Sequence, residues 1–423
     1  MIVPSIDLVG GRTVQLVGGE VPAIDAGDPV PILDRFAVAG EVAIIDIDAA
    51  RGEGSNEAVI RDLCRRAPVR VGGGIRDAET ALRWLDVGAS KVILGTAATP
   101  DVLAQLPADR VIAALDSRDD RVVTHGWRRE TNDTVLERIA ELRDLVGGFL
   151  VTFVELEGRM RGSDLDRARR VVEAAGDARV TIAGGVTTTD EIAALDRIGA
   201  DAQVGMALYS GQLSLSDAIA APLMSDRPDG LWPTVIVDET GVALGLAYSS
   251  TESLEQAVET RRGVYQSRSR GIWEKGATSG ATQELLGIDL DCDRDTLRFT
   301  VRQHGDGFCH LDTRTCWGPD AGIGYLARRL NRIATGPAPA GSNTVRLLED
   351  PTLLGEKLRE EASELADAVT PDDVAAEAAD VVYFTLVKAA EGGATIEDIE
   401  RELDLRALRV SRRPMEQKKE GRS

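Results

Sequence analysis

The chain has 423 residues, of which 43% are hydrophobic, so it is long enough for roughly two to four domains with ample cores. Its formal net charge of −21 argues against binding to nucleic acid or to an anionic membrane surface. The sequence shows no apolar run long enough to span a bilayer and no basic start of a secretion signal. Free cysteines in metal-like spacing fit a reducing compartment, so we expect a cytoplasmic protein.

Two polar, turn-rich stretches divide the sequence into three segments. The first stretch lies near residues 224–230, and the second, at residues 335–341, is rich in Pro, Gly and Ala. We therefore predict domains at residues 1–224, 229–332 and 341–423, each of ordinary domain size.

The first segment alternates short runs of Val and Ile with helical patterns, which is typical of repeated βα units and a parallel sheet. It also contains an internal repeat, in which glycine-rich pieces and one aspartate of the first half recur in the second half. The corresponding residues are Asp7 and Asp116, Gly73-Gly74 and Gly184-Gly185, and Gly95-Thr96 and Gly205-Met206. Two similar halves of four βα units predict a closed, eight-stranded (β/α)8 barrel.

This repeat has a chemical consequence. In such barrels, glycine-rich loops after the strands bind phosphate at the carboxyl ends of the strands. Two phosphate cradles with one aspartate from each half between them suit a substrate that is phosphorylated at both ends and transformed centrally by an acid–base pair. The alternative is that the glycines only form turns and the aspartates only cap helices. Four matched cradle elements with two matched acids favour the site.

These residues resemble the barrel isomerase of histidine biosynthesis, which converts the aminoaldose ProFAR to its ketose. The matching pieces are Ile6-Asp7-Leu8, residues 71–76 ending at Arg76, Gly95-Thr96-Ala97, residues 116–127 and Gly184-Gly185-Val186. The resemblance implies that Asp7 is the general base and Asp116 the general acid, with Thr152 nearby, and that Arg76 and the glycines bind substrate phosphate. Two motifs depart from the family: Glu157-Gly158-Arg159 replaces Asp-Gly-Thr, and residues 46–50 replace Asp-Leu-Asp-Gly-Ala.

The middle segment contains three of the four cysteines. They stand in Asp291-Cys292-Asp293-Arg294-Asp295 and, further on, at Cys309 and Cys316. On an extended strand, the aspartates at 291, 293 and 295 would line one face and Cys292 would point to the other. Three thiolates with an open position form a catalytic zinc site, and carboxylates in a row (Asp291, Asp293, Asp295) suit magnesium. The alternative is a pair of buried cysteines beside an acidic strand end.

Paired arginines and small residues precede this cluster. We predict that Arg268, Arg270, Lys275 and Ser279 clamp a phosphate, because charged side chains and nearby glycines let the chain approach it closely.

Residues 229–332 as a whole resemble phosphoribosyl-AMP cyclohydrolase, which opens the purine ring in histidine biosynthesis. The resemblance implies that zinc on the three cysteines lowers the pKa of its water for attack on an adenine ring carbon. It also implies a homodimer, because the zinc ligands of the family come from two subunits. His310, next to Cys309, is the predicted general base or proton shuttle.

The third segment has helical patterns throughout. Glu361 with Glu364, and Glu377 with Asp380, fall on single helix faces next to an apolar run. Carboxylates beside a core are costly unless they are paired or bind a metal. We therefore predict a magnesium–triphosphate site in which Lys357 also meets phosphate; a merely exposed acidic helix is the alternative.

This pattern, with Ser342, Thr344 and Arg346 upstream, resembles phosphoribosyl-ATP pyrophosphohydrolase, of the all-α nucleotide pyrophosphatases. The resemblance implies that magnesium on the carboxylates polarises the α–β phosphate link for attack by water.

The three resemblances name consecutive steps of one pathway, so we predict a multifunctional histidine-biosynthesis enzyme that acts on small phosphoribosyl nucleotides. Two alternatives concern the barrel. In the first, it is a catalytically inactive scaffold or binding module beside a two-step enzyme. In the second, it also isomerises phosphoribosylanthranilate, because the altered loop at residues 157–159 widens its specificity.

Overall fold

The computed structural model describes residues 1–18, 21–124, 127, 129–159, 162–305, 307–337 and 341–411. Parts of three sequence predictions lie outside these residues, namely residues 125 and 126 of the 116–127 motif, residues 338–340 of the linker and residues 412–423 of the third segment. The described chain forms two compact units. The first contains Met1–Val237, Leu246–Gly305 and the described residues after Ala407, and the second contains Asp238–Gly245 and residues 307–407.

The first segment forms the predicted (β/α)8 barrel. Its strands are β1 (Ile2–Val9), β2 (Arg12–Val17), β3 (Val21–Gly27), β4 (Val42–Asp46), β5 (Val69–Gly72), β6 (Lys91–Leu94), β7 (Val111–Arg118), β8 (Arg121–Thr124), β9 (Arg129–Thr134), β10 (Gly148–Phe153), β11 (Arg179–Ala183) and β12 (Ala200–Val204). Eight of them (β1, β4–β7 and β10–β12) pair in parallel, and the ring closes because β1 pairs with β12 as well as with β4. A buried cluster of Ile93, Ile112, Leu150 and Ala183 joins four neighbouring strands of this ring. The predicted fold class is confirmed.

Each half of the barrel carries an antiparallel strand pair after its first strand, which the sequence analysis did not anticipate. β2 pairs with β1 and β3, and β8 pairs with β7 and β9. Asp7 lies opposite Val14, and Asp116 lies opposite Val123. The two aspartates thus occupy equivalent places in the two halves, as the internal repeat predicts.

Helices surround the barrel strands. They are α1 (Pro29–Phe36), α2 (Ile47–Arg51), α3 (Glu57–Leu63), α4 (Ala78–Val87), α5 (Pro100–Leu103), α6 (Val135–Leu142), α7 (Leu165–Ala175), α8 (Thr189–Arg197), α9 (Met206–Tyr209) and α10 (Leu215–Ala220). α6 shows why these segments are helical: its buried residues Val135, Ile139 and Leu142 are spaced by four and three, so they share one face. Thr134 caps its first turn in a capping box with Glu137.

The middle segment forms a six-stranded sheet with one helix between its strands, and its last residues begin the helix α12 (Gly322–Thr335), described below. The elements are β13 (Trp232–Asp238), β14 (Ala243–Ser249), α11 (Thr251–Thr260), β15 (Val264–Ser267), β16 (Gly271–Glu274), β17 (Gln283–Leu290) and β18 (Leu297–Gln303), and the strand order is β16-β15-β14-β13-β18-β17. Tyr265 is fully buried in this part of the chain, and its hydroxyl group donates a hydrogen bond to Gln283 (2.7 Å). This bond satisfies a polar group that would otherwise be costly to bury.

The remaining helices are α12 (Gly322–Thr335), α13 (Asn343–Glu349), α14 (Pro351–Asp367), α15 (Pro371–Glu391) and α16 (Ile396–Ala407). Their core contains Leu330, Leu347, Leu354, Leu386 and Val387. The third segment is therefore helical, as predicted. Among the described residues, no helix is both long and apolar enough to cross a membrane.

Candidate active sites

The predicted acid–base pair lies at the carboxyl end of the barrel strands, the face where such barrels carry their active sites. Asp7 and Asp116 are both half-buried. Burial raises the pKa of Asp7 from 3.8 to about 7. Burial also raises the pKa of Asp116, although hydrogen bonds with Trp127 and Thr152 act against the rise. Thr152 is the neighbour of Asp116 on β10, so it lies next to the predicted acid.

Glu157 is a third carboxyl group near Asp7 and Asp116. The sequence analysis treated it only as a departure from the family motif. Burial, together with the negative charges of Asp7 and Asp116, raises its pKa to about 7. Like charges in a desolvated site disfavour simultaneous ionisation of the three carboxyl groups. A site of this kind can both accept and donate protons, which is what an acid–base isomerisation requires.

The predicted glycine pairs Gly73-Gly74 and Gly184-Gly185 are required by close backbone packing. All four have positive φ, between 71° and 94°. A Cβ on Gly73 would lie less than 3 Å from the backbone of Asp46, and a Cβ on Gly184 would lie within 3 Å of the Phe153 carbonyl oxygen. In both halves, the glycine pair therefore packs on the chain at the end of the preceding strand.

The second pair of predicted phosphate elements differs between the halves. Gly95 and Thr96 are exposed, and a Cβ on Gly95 would meet open space. Gly205 precedes the short helix α9, which begins at Met206, and both residues are half-buried. Arg76 is exposed, and its guanidinium approaches the Ala49 carbonyl oxygen (3.4 Å).

The packing of Gly73 leads to a prediction. Gly73→Ala is expected to lower the free energy of unfolding by about 3 kcal/mol, because it combines a backbone clash with a left-handed φ. Gly95→Ala is the matched control and should change the unfolding free energy by less than about 0.5 kcal/mol. Urea unfolding of the full chain measures both. Equal stability of the two variants would contradict the packing argument.

The loop between β17 and β18 carries the three aspartates of the middle segment. The strands end at Leu290 and resume at Leu297, so the expectation that these aspartates alternate along a strand is wrong. They lie in a turn, because the Asp291 carboxylate accepts hydrogen bonds from the backbone N–H groups of Asp295 (3.0 Å) and Thr296 (3.1 Å). The turn still brings together carboxylate oxygens of Asp291, Asp293 and Asp295 within 4.8 Å. This donor set fits a hard divalent cation.

Two of the three predicted zinc ligands are neighbours. Cys309 and Cys316 interact through their side chains, and hydrogen bonds, the largest from the backbone of Leu311, lower the pKa of the Cys309 thiol. A depressed thiol pKa suits a metal ligand, since the thiolate is the binding form. Cys292 is exposed and belongs to the first compact unit, whereas Cys309 and Cys316 belong to the second. The imidazole Nδ1 of His310 lies 3.9 Å from the Cys309 sulfur.

A buried ion-pair network holds the chain between these two cysteines, and the sequence analysis missed it. Asp238 is fully buried and accepts a hydrogen bond from Arg314 (2.6 Å), while Arg328 lies 3.4 Å from the same oxygen. Arg328 also pairs with Asp320 (2.8 Å). Burial acts to raise the pKa of Asp238, but the hydrogen bond from Arg314 and further donors outweigh it, so the pKa is lowered. A single aspartate at the end of a strand gives no sequence signal that it will form buried ion pairs with two distant arginines.

The predicted phosphate clamp of the middle segment is partly assembled. The Arg268 guanidinium lies 5.1 Å from the ring centre of Tyr248, which Arg227 also approaches (4.6 Å). Arg270 and Ser279 are exposed, whereas Lys275 is buried.

The acidic cluster of the third segment is formed by α14 and α15. Carboxylate oxygens of Glu361, Glu364 and Glu377 lie within 4.8 Å of one another. Burial and the charges of Glu364 and Asp380 raise the pKa of Glu361. Burial and the same two neighbours raise the pKa of Glu377. Mutual repulsion of this kind is relieved by a bound cation, so the donor set fits magnesium.

Lys357 borders this cluster, and three residues of the upstream motif lie in or next to α13. Lys357 pairs with Glu360 (2.8 Å) and lies 4.0 Å from Glu361. Thr344 is buried, and its hydroxyl group shares a hydrogen bond with Tyr383 on α15 (2.8 Å). Ser342 precedes α13 as its N-cap, and Arg346 lies in that helix.

Three family models match the chain in succession. The model described as histidine biosynthesis protein matches residues 1–214, the phosphoribosyl-AMP cyclohydrolase model matches residues 245–318, and the phosphoribosyl-ATP pyrophosphohydrolase model matches residues 327–407. The first covers just over half of the 423 residues. The chain belongs to the histidine biosynthesis protein family. The three resemblances predicted from the sequence are confirmed, in the predicted order.

Curated relatives match this chain over different lengths. The 1-(5-phosphoribosyl)-5-((5-phosphoribosylamino)methylideneamino) imidazole-4-carboxamide isomerase of Gemmatimonas aurantiaca is 42% identical over 224 residues, which are 50% of this chain and 94% of that protein. The histidine biosynthesis trifunctional protein of Neurospora crassa is 39% identical over 336 residues, or 78% of this chain and 36% of its own length. The histidine biosynthesis bifunctional protein of Schizosaccharomyces pombe is 50% identical over 202 residues, or 48% of each chain. The chain thus spans about a third to a half of the length of these two multifunctional relatives.

Proposed function

We propose that this chain catalyses three consecutive steps of histidine biosynthesis. It releases pyrophosphate from phosphoribosyl-ATP, opens the adenine ring of phosphoribosyl-AMP to give ProFAR, and isomerises ProFAR. The observation that carries the proposal is that three family models match successive regions of the chain. Each matched region contains a cluster of the predicted site residues. Residues 341–423 would release pyrophosphate, residues 229–332 would open the adenine ring, and residues 1–224 would isomerise ProFAR.

In the barrel, Asp7 and Asp116 are the proposed base and acid. Isomerisation of an aminoaldose requires one group to protonate the sugar ring oxygen and another to remove the proton from C2. Asp7, with a pKa of about 7, is available as a base at and above neutral pH. Asp116, held beside Thr152, is the proposed acid, and Glu157 supplies a third carboxyl group. The glycine loops and Arg76 are proposed to hold the two phosphates.

For ring opening, we propose that Cys292, Cys309 and Cys316 hold zinc and that Asp291, Asp293 and Asp295 hold magnesium. Bound zinc would lower the pKa of a water molecule that attacks the ring. His310 is the proposed proton shuttle, and Arg268, Arg270, Lys275 and Ser279 are proposed to bind the substrate phosphate. A homodimer is proposed from the family resemblance, and light scattering of the purified protein tests it.

For pyrophosphate release, we propose that Glu361, Glu364, Glu377 and Asp380 hold magnesium and that Lys357 contacts a phosphate. Bound magnesium would polarise the phosphate chain for attack by water. The raised pKa values of Glu361 and Glu377 support this assignment, because they reflect burial and the repulsion of neighbouring carboxylates, which a bound cation would relieve.

This site gives a prediction. Glu361→Gln is expected to lower the rate of pyrophosphate release by about 100-fold, because it removes a cation ligand, while the helix content stays unchanged. The measurement is release of pyrophosphate from phosphoribosyl-ATP in the presence of Mg²⁺. Asp372→Asn, on the exposed first turn of α15, is the control and should keep the rate. If Glu361→Gln also keeps it, the acidic faces are merely solvated.

One experiment tests the whole proposal. Phosphoribosyl-ATP is added to the pure full chain with Zn²⁺ and Mg²⁺, and the products are followed with time. Appearance of the ketose product supports three activities. Accumulation of ProFAR would instead make the barrel an inactive scaffold beside a two-step enzyme, and turnover of phosphoribosylanthranilate would reveal a second substrate of the barrel.

A further inference from the structure

The acidic loop between β17 and β18 contains one basic residue, Arg294, at its centre. Its backbone is left-handed, with φ of 64°, a conformation that costs a non-glycine residue about 1 kcal/mol or more. The rest of the fold therefore offsets this conformational cost, and the left-handed backbone fixes where the Arg294 side chain lies. A guanidinium among Asp291, Asp293 and Asp295 would ordinarily pair with their carboxylates, because it is the nearest available positive charge.

Arg294 instead turns its guanidinium to the barrel. Nε donates to Oδ2 of Asp196 (3.0 Å) and Nη2 donates to Oδ1 (3.0 Å), which is a bidentate pair. Nη1 donates to the backbone carbonyl oxygen of Asp291 (2.6 Å). The Arg294 carbonyl oxygen accepts a hydrogen bond from the backbone N–H of Met224 (2.7 Å).

Asp196 lies on α8 of the barrel, in the same compact unit as the loop. Its side chain is 12% exposed, and that of Arg294 is 24% exposed, so water screens the pair only in part. The Asp196 carboxylate also contacts the amino group of Met1 (3.0 Å). The bidentate geometry and partial burial make this pair stronger than an ordinary surface ion pair.

We propose that Asp196 of the barrel, acting through Arg294, holds the acidic loop open for a divalent cation and is thereby a positioning residue for ring opening. The physical reason is competition. With the guanidinium bound to Asp196, the carboxylates of Asp291, Asp293 and Asp295 remain together within 4.8 Å and are left to a cation. Without Asp196, the guanidinium can turn back and neutralise them. The inference rests on the proposed function of this loop. It assigns the barrel a role in ring opening that does not depend on isomerisation.

The test compares Asp196→Asn with Asp289→Asn in the full chain. Asp289→Asn is the control, because it removes an aspartate–arginine pair (with Arg298, 2.8 Å) that joins β17 and β18 outside the loop and is exposed to solvent. For Asp196→Asn, we expect the Mg²⁺ concentration that half-activates ring opening to rise about tenfold. Pyrophosphate release should be unchanged. In the metal-free protein, the amide hydrogens of Asp295 and Thr296 should exchange faster, because their bonds to Asp291 are weakened.

Arg294→Met provides the second variant, because it removes the guanidinium that would compete for the three carboxylates. In the protein that carries both Asp196→Asn and Arg294→Met, the Mg²⁺ concentration for half-activation and the amide exchange should therefore return toward those of the unmodified protein. If Asp196→Asn matches the Asp289→Asn control in Mg²⁺ dependence and in amide exchange, or if adding Arg294→Met does not reverse its effects, the proposal is overturned. If the unmodified protein fails to open the ring at any Mg²⁺ concentration, the proposed function fails, while the exchange measurement still decides whether Asp196 orders the loop.

Discussion

Asp7→Asn is expected to abolish isomerisation and at the same time to make the protein more stable at neutral pH. Loss of a general base typically costs about 100- to 10,000-fold in rate, so ProFAR should accumulate while the first two steps continue. The stability gain has an electrostatic cause. Burial raises the pKa of Asp7 to about 7, which means that the folded protein holds this carboxylate at a cost.

The direction follows from proton binding. Between the ordinary pKa of 3.8 and the folded value of about 7, the folded state binds more protons than the unfolded state, so the contribution of Asp7 to stability falls as pH rises through this range. One unit of pKa corresponds to about 1.4 kcal/mol of unfolding free energy. Because Asp7 is only half-buried, solvent screening reduces its contribution below the value that the whole pKa shift would give. We expect Asp7→Asn to raise the free energy of unfolding by about 2 kcal/mol at pH 8 and to leave it nearly unchanged at pH 4.

Urea unfolding at the two pH values, together with the isomerase assay, measures both parts of this prediction. Asp166→Asn is the control, because the Asp166 side chain is 88% exposed on α7. The control should keep both activity and stability. A variant at Asp7 that isomerises ProFAR normally would remove it from the mechanism, and one that loses stability at pH 8 would contradict the raised pKa.

Cys309→Ser is expected to remove bound zinc and to lower ring opening by about 100-fold or more, while pyrophosphate release continues. The reason is the loss of one thiolate from the proposed set of three, since a serine hydroxyl stays protonated and binds zinc poorly. Hydrogen bonds lower the pKa of Cys309, so this thiol is already biased toward the binding form. The expected end product of the variant is therefore phosphoribosyl-AMP.

Zinc content by elemental analysis and product analysis measure this prediction. Cys64→Ala is the matched control. It also removes one thiol, but burial raises the pKa of Cys64 to about 12, so this cysteine is a poor metal ligand. The control should keep its zinc and its ring-opening activity. Zinc-replete Cys309→Ser with normal ring opening would contradict the assignment of the cluster.

The barrel was predictable because its signal is local and repeated. Short Val and Ile runs at regular spacing predict β strands in βα units, and the recurrence of Gly73-Gly74 as Gly184-Gly185 reveals the two halves. The strand pair Arg12–Val17 and Val21–Gly27 was missed. A signal for it was present, because Gly10 and Gly11, both with positive φ, form a two-residue glycine turn between Val9 and Arg12, and such a turn predicts a β-hairpin.

The acidic loop shows the opposite case. The alternation of Asp291, Cys292 and Asp293 reads as a strand, but the chain turns at Leu290. The Asp291 carboxylate closes the turn by accepting hydrogen bonds from the backbone of residues 295 and 296. Such bonds favour a turn over a β-strand, and an alternating sequence pattern does not reveal them. The carboxylates nevertheless meet, because a tight turn brings alternate side chains together as effectively as one face of a strand.

By itself, the sequence determined the fold class, the three families and the residue types of each candidate site, because these depend on periodicity and on short motifs. The tertiary structure alone decided the environment of each group. Glu157 was only a departure from a motif until burial and two neighbouring aspartates raised its pKa. Asp196 and Asp238 carry no motif, and each acquires its role from an arginine 98 or 76 residues away. Desolvation and long-range ion pairing arise only when distant parts of the chain are packed together, so no local pattern encodes them.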